Sequence, residues 1–168
     1  MRPIYSLTAV MLLALTLACC KKNGADPQAA STGTGTGSIK LTQNGKVITE
    51  FQTTKVTAIG GGGYDVVVNS ADEKHSLLIT ITGQSAGTYP FIAPGQSLGS
   101  GKANFLYQSY ALPEAFQGTV GILEPSTGQV DLKTATQTRC SGTFSGTGKN
   151  AKDGKTYTLE GTFDSPVL

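Results

Sequence analysis

Alternation of apolar and polar residues with a period of two is the feature that most constrains this chain. In segment 64–69, Tyr, Val and Val alternate with Asp, Val and Asn, and segment 77–82 repeats the pattern with Leu and Ile against mainly Thr. Successive side chains of an extended strand point to opposite faces, so this period predicts strands with one buried face. No segment shows a convincing helical spacing, and the alternation therefore indicates an all-β domain.

Turn signals divide this alternation into about nine strands. Asn44-Gly45 predicts a two-residue hairpin, because both turn positions require positive φ. Separate strands are expected over 47–51 and 55–59, another over 119–124, and the longest loop over 83–103. An antiparallel meander is the favoured topology, and a β-sandwich and a β-barrel both remain open.

Length and charge limit the number of domains and the kinds of partner that this chain can have. Residues 39–168 have the length of one domain and can bury a core without disulfides or a structural metal ion. The chain holds 13 Lys and Arg against 11 Asp and Glu, and no segment collects cations on one face. Such a charge distribution excludes nucleic acid as the expected partner.

The N-terminus has the parts of a secretory signal. Arg2 supplies positive charge, an apolar stretch runs to Leu17, and the small Ala18 follows. The apolar stretch is shorter than the roughly 20 residues that span a bilayer. Residues 1–18 are therefore predicted to be a signal peptide, with Cys19 directly after it.

Leu17-Ala18-Cys19 resembles the lipobox of bacterial lipoproteins, although Thr16 stands where that family most often has Leu. The resemblance implies that Cys19 receives a diacylglyceryl group and becomes the first residue after cleavage. Acyl chains on Cys19 would then attach the protein to a membrane. A plain secretory signal followed by a chance cysteine is the alternative.

The start Cys-Lys-Lys-Asn, with a Gly-rich segment behind it, resembles lipoproteins of the Bacteroidota. Position 20 is not Asp, the residue that marks retention in the inner membrane, so the resemblance implies the outer membrane. Lys21 and Lys22 stand where surface-exported members have an acidic run, which favours the periplasmic face of that membrane. Residues 19–38 are predicted to be a flexible Gly/Thr tether. Such a chain spans about 20–25 Å.

The cysteines do not form a disulfide framework. Cys140 stands alone in the domain and alternates with Gly142 and Phe144, so it is expected to be a buried, unpaired thiol. A bridge between Cys20 and Cys140 through the tether stays open.

Residues with catalytic or metal-binding chemistry are scattered. His75 opens a predicted strand without a nucleophile or a convergent carboxylate, so it is read as a structural residue. One His and one domain Cys do not make a zinc cluster, and no cofactor, metal or catalytic residue is predicted. Paired carboxylates for sugar hydrolysis would have to come from Glu50, Asp65, Glu114, Glu124, Asp131, Glu160 and Asp164.

The last two predicted strands contain the same short motif. Gly-Thr-Phe occurs at 142–144 and again at 161–163, so each Phe could lie over the glycine of the partner strand, or the two rings could meet. This ending resembles the C-terminal end of small Bacteroidota lipoproteins, from which no activity can be carried over. Tyr110 and Phe116 could bind carbohydrate or peptide, or could seal one end of the barrel.

Together these features predict a lipid-anchored, non-catalytic binding or accessory module on the periplasmic side of the outer membrane. The protein or small-molecule partner is left unknown. The alternative is a small barrel that carries an apolar ligand, as lipocalins do, and an enzyme is the least favoured reading. A closed apolar cavity above roughly 300 Å³ would favour the carrier.

Overall fold

The structure, a computed structural model, describes residues 34–112, 116 and 123–168. The predicted signal peptide and Cys19 lie outside these residues. Nine strands form within the described ranges, with inward residues buried and outward residues more exposed. Their bounds are β1 Gly35–Gln43, β2 Lys46–Gly60, β3 Tyr64–Asn69, β4 His75–Ile81, β5 Gly87–Pro90, β6 Ala103–Ser109, β7 Thr127–Ala135, β8 Arg139–Lys149 and β9 Thr156–Pro166.

All nine strands belong to one antiparallel sheet, in the order β5-β7-β8-β9-β1-β2-β3-β4-β6. The two edges of this sheet approach each other. Phe91, directly after β5, forms a bridge to Ala103 in β6, and Leu123 forms a second bridge to Tyr107. A single sheet whose edges meet is a nearly closed barrel and not two stacked layers. The all-β prediction is confirmed. Of the two architectures that the sequence left open, the structure shows the barrel.

β1 begins at Gly35, whereas the sequence predicts a tether through Ser38. The Gly-Thr repeat has a period of two and places Gly35 and Gly37 towards the barrel interior. A Cβ atom on Gly35 would lie 2.5 Å from the Asp164 carbonyl oxygen and 2.7 Å from Ser165 Cβ. The glycines therefore allow β9 to approach β1 closely, so a repeat that looks like low complexity is partly a strand.

β2 is one strand where the sequence predicts two. It pairs with β1 in its first part and with β3 from Lys55 onwards. Thr53 lies at this change of partner, where its Oγ1 donates to the Asn69 carbonyl at 2.6 Å and accepts from the Lys55 N–H at 3.0 Å. The polar residues between the predicted strands thus mark a change of partner and not a turn.

β5 lies within the region predicted as a loop. It pairs with β7, and Thr88 Oγ1 donates to Asp131 Oδ1 at 2.7 Å. Pro90 is tolerated because an edge strand does not need every N–H group. The predicted strand over 119–124 lies mostly outside the described residues, apart from the bridge at Leu123.

Large side chains fill the interior of the barrel. The predicted Phe and Gly pairing is present, since Gly142 lies opposite Phe163 and Phe144 lies opposite Gly161. The largest side chains with almost no solvent contact are Tyr107, Phe105, Phe116, Phe163, Ile39, Leu41, Leu77, Ile79, Ile81, Leu123 and Leu159.

The barrel has two ends, which we name by where the chain enters. The entry rim is the end at which β1 begins, and it comprises segments 60–63, 82–86, 91–102, 136–138 and 167–168. The far rim is the opposite end, and it comprises segments 44–45, 70–74, 110–112 and 150–155.

Candidate functional site

The outer faces of β1, β7, β8 and β9, together with Glu50 of β2, line a shallow depression of about 710 Å³, which we call the outer groove. The alternation of these strands turns hydroxyl, amide and charged side chains outwards while their sequence neighbours enter the core. The outward-facing residues of the groove are Ser38, Lys40, Glu50, Gln129, Asp131, Thr143, Ser145, Glu160 and Thr162.

Gly161 lies at the floor of the outer groove. A Cβ atom there would lie 2.8 Å from Phe144 Cζ and would overlap the carbonyl oxygen of Ser38. Such a Cβ atom would point into the barrel, so the missing side chain leaves room for the Phe144 ring and lets β1 and β9 come together. Glycine at this position therefore determines how closely the strands beneath the groove pack.

An ion pair spans one side of the outer groove. Lys40 Nζ lies 3.1 Å from Glu160 Oε1, and both side chains remain partly exposed. The hydrogen bond and charge of Glu160 raise the pKa of Lys40. Glu50 lies directly opposite Lys40 on β2, so the lysine stands between two carboxylates.

Asp131 supplies a third carboxylate to the outer groove. Its Oδ1 accepts hydrogen bonds from Thr88 Oγ1 at 2.7 Å and from Gln129 Nε2 at 3.0 Å. These bonds, with that of Thr88 the larger cause, lower the pKa of Asp131. The group is therefore ionised at neutral pH and acts as a hydrogen-bond acceptor.

The structure separates the carboxylates that the sequence singled out. Three of them line the outer groove: Glu50, Asp131 and Glu160. The others lie elsewhere: Asp65 on β3, Asp164 on β9 with Arg139 at 2.6 Å, Glu124 after the Leu123 bridge, and Glu114 outside the described residues. Within the described ranges, no group of three or more His, Cys, Asp or Glu residues could hold a metal ion.

His75 lies in a buried polar contact at the far rim. It is 8% exposed, its Nδ1 lies 2.9 Å from the hydroxyl of Tyr107, and its ring centroid is 5.2 Å from that of Phe51. Burial lowers the pKa of His75, so the imidazole is neutral at pH 7. The nearby Asp72 is occupied by Ser70 Oγ and the Lys74 N–H. No triad geometry forms around His75 among the residues described.

The two aromatic residues named as possible ligand contacts have different positions. Phe116 is buried between Tyr107 and Tyr157, with ring centroids 6.0 Å and 4.9 Å away. Tyr110 is exposed at the far rim. Phe116 therefore helps to seal the barrel end, as one of the two sequence readings proposed.

A second depression, of about 420 Å³, opens at the entry rim. It lies between the glycine turn 60–63, Gln84, segment 135–137 and the last residues Val167 and Leu168. Its floor is closed by Tyr64, whose hydroxyl donates to the Thr136 carbonyl at 3.1 Å. This depression is open to solvent and has mixed polarity, and beneath it the packed core occupies the space where an apolar cargo would lie.

Cys140 lies under the entry rim and is buried, as predicted. Burial is the main reason that its pKa is raised to about 12. The thiol is therefore protonated and shielded in the folded domain. A pairing with Cys20 involves a residue outside the described ranges.

Comparison of the chain with protein-family models, curated proteins and solved structures gave no match. In the part of the chain that the structure describes, no helix is long and apolar enough to cross a bilayer.

The outer groove could not be found by reading the sequence. Its walls come from strands that are adjacent only because β9 pairs with β1 and β7 pairs with β8. The available sequence signal is the run of outward Thr and Ser residues in the last two strands, which does not by itself show that β1 and β7 lie beside them.

Proposed function

We propose that this chain is a lipid-anchored, non-catalytic binding module of the outer membrane that faces the periplasm. We further propose that its outer groove holds a hydrophilic, hydroxyl-rich ligand such as a glycan. The observation that carries this proposal is the clustering of hydroxyl, amide and carboxylate groups in one depression of about 710 Å³.

The chemistry of the outer groove suits a ligand that both donates and accepts hydrogen bonds. Thr143 and Thr162 lie directly opposite each other, and Asp131 lies opposite Thr143 on the next strand. Neighbouring strands are about 4.8 Å apart, so these groups form a row of donors and acceptors with regular spacing. A sugar chain carries hydroxyl groups that can satisfy both kinds of partner.

The same groups are poorly suited to hydrolysis. Cleavage of a glycosidic bond uses one protonated carboxylic acid next to an ionised one. The pKa of Asp131 is lowered, so this carboxylate is ionised at neutral pH. The Glu160 side chain is paired with Lys40. This arrangement supports binding without catalysis.

The anchor rests on the match of Leu17-Ala18-Cys19 to the lipobox. We expect mass spectrometry of the membrane form to find Cys19 at the N-terminus with acyl chains attached. We expect Cys19→Ser to leave unprocessed or membrane-released protein. A mature N-terminus elsewhere, or Cys19 without acyl mass, would contradict the anchor.

Binding can be tested with a panel of soluble oligosaccharides, followed by calorimetric titration of those retained. We expect Asp131→Asn to weaken binding about tenfold or more, because a hydrogen bond to a charged group contributes about 1.5–3 kcal/mol. Asp65→Asn is the matched control, since Asp65 is also an outward Asp on a strand but lies outside the groove. Equal losses in both variants, or no binding to any oligosaccharide, would refute the proposed ligand.

A further inference from the structure

The two rims of the barrel differ in charge. Among the described entry-rim segments the charged residue is Lys102, in a setting of Gly, Ser, Thr, Gln and apolar residues. Segments 70–74 and 150–155 of the far rim carry Asp72, Glu73, Lys74, Lys152, Asp153 and Lys155. Charged groups lose hydration where water is excluded, so the entry rim is the end that can approach a low-polarity surface.

Two large apolar side chains are exposed together at the entry rim. Ile59 is 50% exposed and Leu168 is 62% exposed. Backbone bonds hold them side by side, since the Leu168 N–H donates to Ala58 at 2.9 Å and the Gly60 N–H donates to Leu168 at 3.5 Å. A Cβ atom at Gly61 or Gly62 would meet nothing within 4 Å, so the adjacent turn leaves room for an approaching surface.

The route of the chain places this rim next to the proposed anchor. β1 begins at Gly35 on the entry rim, 16 residues after Cys19. If this segment is the flexible tether that the sequence predicts, it spans about 20–24 Å. β2 has 15 residues and an extended length of about 50 Å, of which about 35–40 Å lies along the barrel axis because barrel strands are tilted. The tether is thus shorter than the barrel, so it keeps the entry rim near the bilayer and the far rim away.

We propose that the entry rim rests on the lipid bilayer, with Ile59 and Leu168 entering the headgroup layer. This inference depends on the proposed anchor at Cys19 and adds a second membrane contact made by the folded domain. The far rim then points away from the membrane. The outer groove, on the side of the barrel, stays open to ligand.

The chain has no Trp, so single tryptophans can report the depth of each rim. Ile59→Trp and Val47→Trp form a matched pair, because both residues lie on β2 and are 50% and 45% exposed at opposite rims. The full-length lipidated protein is reconstituted into phosphatidylethanolamine/phosphatidylglycerol vesicles with and without brominated phosphatidylcholine. We expect about twofold quenching for the tryptophan at position 59 and none at position 47.

A second pair of tryptophan variants keeps the test decisive if a variant of the first pair does not fold. Leu168→Trp at the entry rim and Tyr110→Trp at the far rim, 62% and 60% exposed, should repeat the contrast. Equal quenching within both pairs, or none at positions 59 and 168 on vesicle-bound protein, would overturn the inference.

A further arm separates this inference from the anchor proposal. Cys19→Ser protein in which a histidine tag replaces residues 1–18 is attached to the same vesicles through nickel-chelating lipid. Quenching at positions 59 and 168 in this arm supports the rim contact even if Cys19 proves not to be acylated. Its absence refutes the rim contact, whatever the state of Cys19.

Discussion

The two rims close the same barrel by different chemistry. The far rim is stabilised by polar side chains: Ser70 Oγ donates to Asp72 at 2.5 Å, and the buried contact between His75 and Tyr107 lies beneath that turn. The entry rim is held by uncharged polar contacts, such as that from Thr82 Oγ1 to the Gly99 carbonyl at 2.7 Å, and by glycines that allow strands to approach. The far rim should therefore respond to pH through its titratable groups, and the entry rim to added volume at its glycines.

The largest effect is expected from Gly63→Ala at the entry rim. A Cβ atom there would overlap the Ile81 carbonyl oxygen and lie 3.1 Å from Thr82 Cα, so β4 would have to shift. Overpacking against backbone should lower the free energy of unfolding by about 3 kcal/mol, as measured by denaturant titration. Gly62→Ala is the control, since its Cβ would meet nothing within 4 Å. Similar losses in both variants would show that close approach does not hold this rim together.

The second effect compares one hydroxyl at each rim. Tyr107→Phe removes the partner of buried His75, whereas Tyr64→Phe removes a bond to the Thr136 carbonyl, which belongs to an exposed residue. Leaving a buried group unpaired costs about 1–3 kcal/mol, so we expect a loss of about 2 kcal/mol for Tyr107→Phe. For Tyr64→Phe we expect at most about 1 kcal/mol. Thermal melts of the two variants measure both losses of stability. A larger loss for Tyr64→Phe would contradict the expectation that the buried hydroxyl at the far rim contributes more than the one at the entry rim.

The third effect is a pH dependence that originates at the far rim. Burial lowers the pKa of folded His75 below the value of 6.5 that the unfolded chain has, with Asp72 opposing and Lys74 adding to that shift. The unfolded state therefore binds more protons below about pH 6.5, and stability falls as the pH falls from there towards the folded pKa. We expect the melting temperature to drop by a few degrees between pH 7 and pH 5.5.

His75→Phe provides the control for that pH dependence, because it keeps a ring between Phe51 and Tyr107 but cannot titrate. Its melting temperature should be almost constant over the same pH interval. The lowered pKa values of Asp72 and Glu73 act at more acidic pH and do not interfere. If the variant keeps the full pH dependence, His75 is not its source.

The smallest effect is expected from an exposed ion pair at the far rim. Lys55 Nζ lies 2.7 Å from Glu73 Oε1, but both side chains are largely in water. Glu73→Gln should change the melting temperature by no more than about a degree, in low and in high salt, because exposed pairs contribute little. A larger, salt-sensitive change would mean that surface charge also stabilises the far rim.

The elements of the fold could be predicted where a local pattern decides them. Asn44 and Gly45 have φ of 50° and 76°, as the hairpin prediction required. Leu77 and Ile79 are fully buried, as their alternation indicated. β5 was missed because four residues at a sheet edge have no pattern of their own, and pairing with β7 makes them a strand.

The outer groove shows the limit of sequence reasoning most clearly. Lys40 and Glu160 are 120 positions apart, and nothing local indicates that they lie 3.1 Å apart. The close approach of β1 and β9 beneath the groove depends on Gly161 meeting the Ser38 backbone. A long-range register had to be known before the polar residues could be placed on one surface.

The sequence by itself determined most of the strands with their buried faces, and the hairpin at Asn44-Gly45, because these follow from a period of two and from the φ preferences of single residues. The tertiary structure decided that the strands form one nearly closed barrel, that Gly35 belongs to β1, and which outward side chains share a groove. Those outcomes depend on which strand edges pair across the chain. Such pairing is decided by packing of the whole core, which no local pattern encodes.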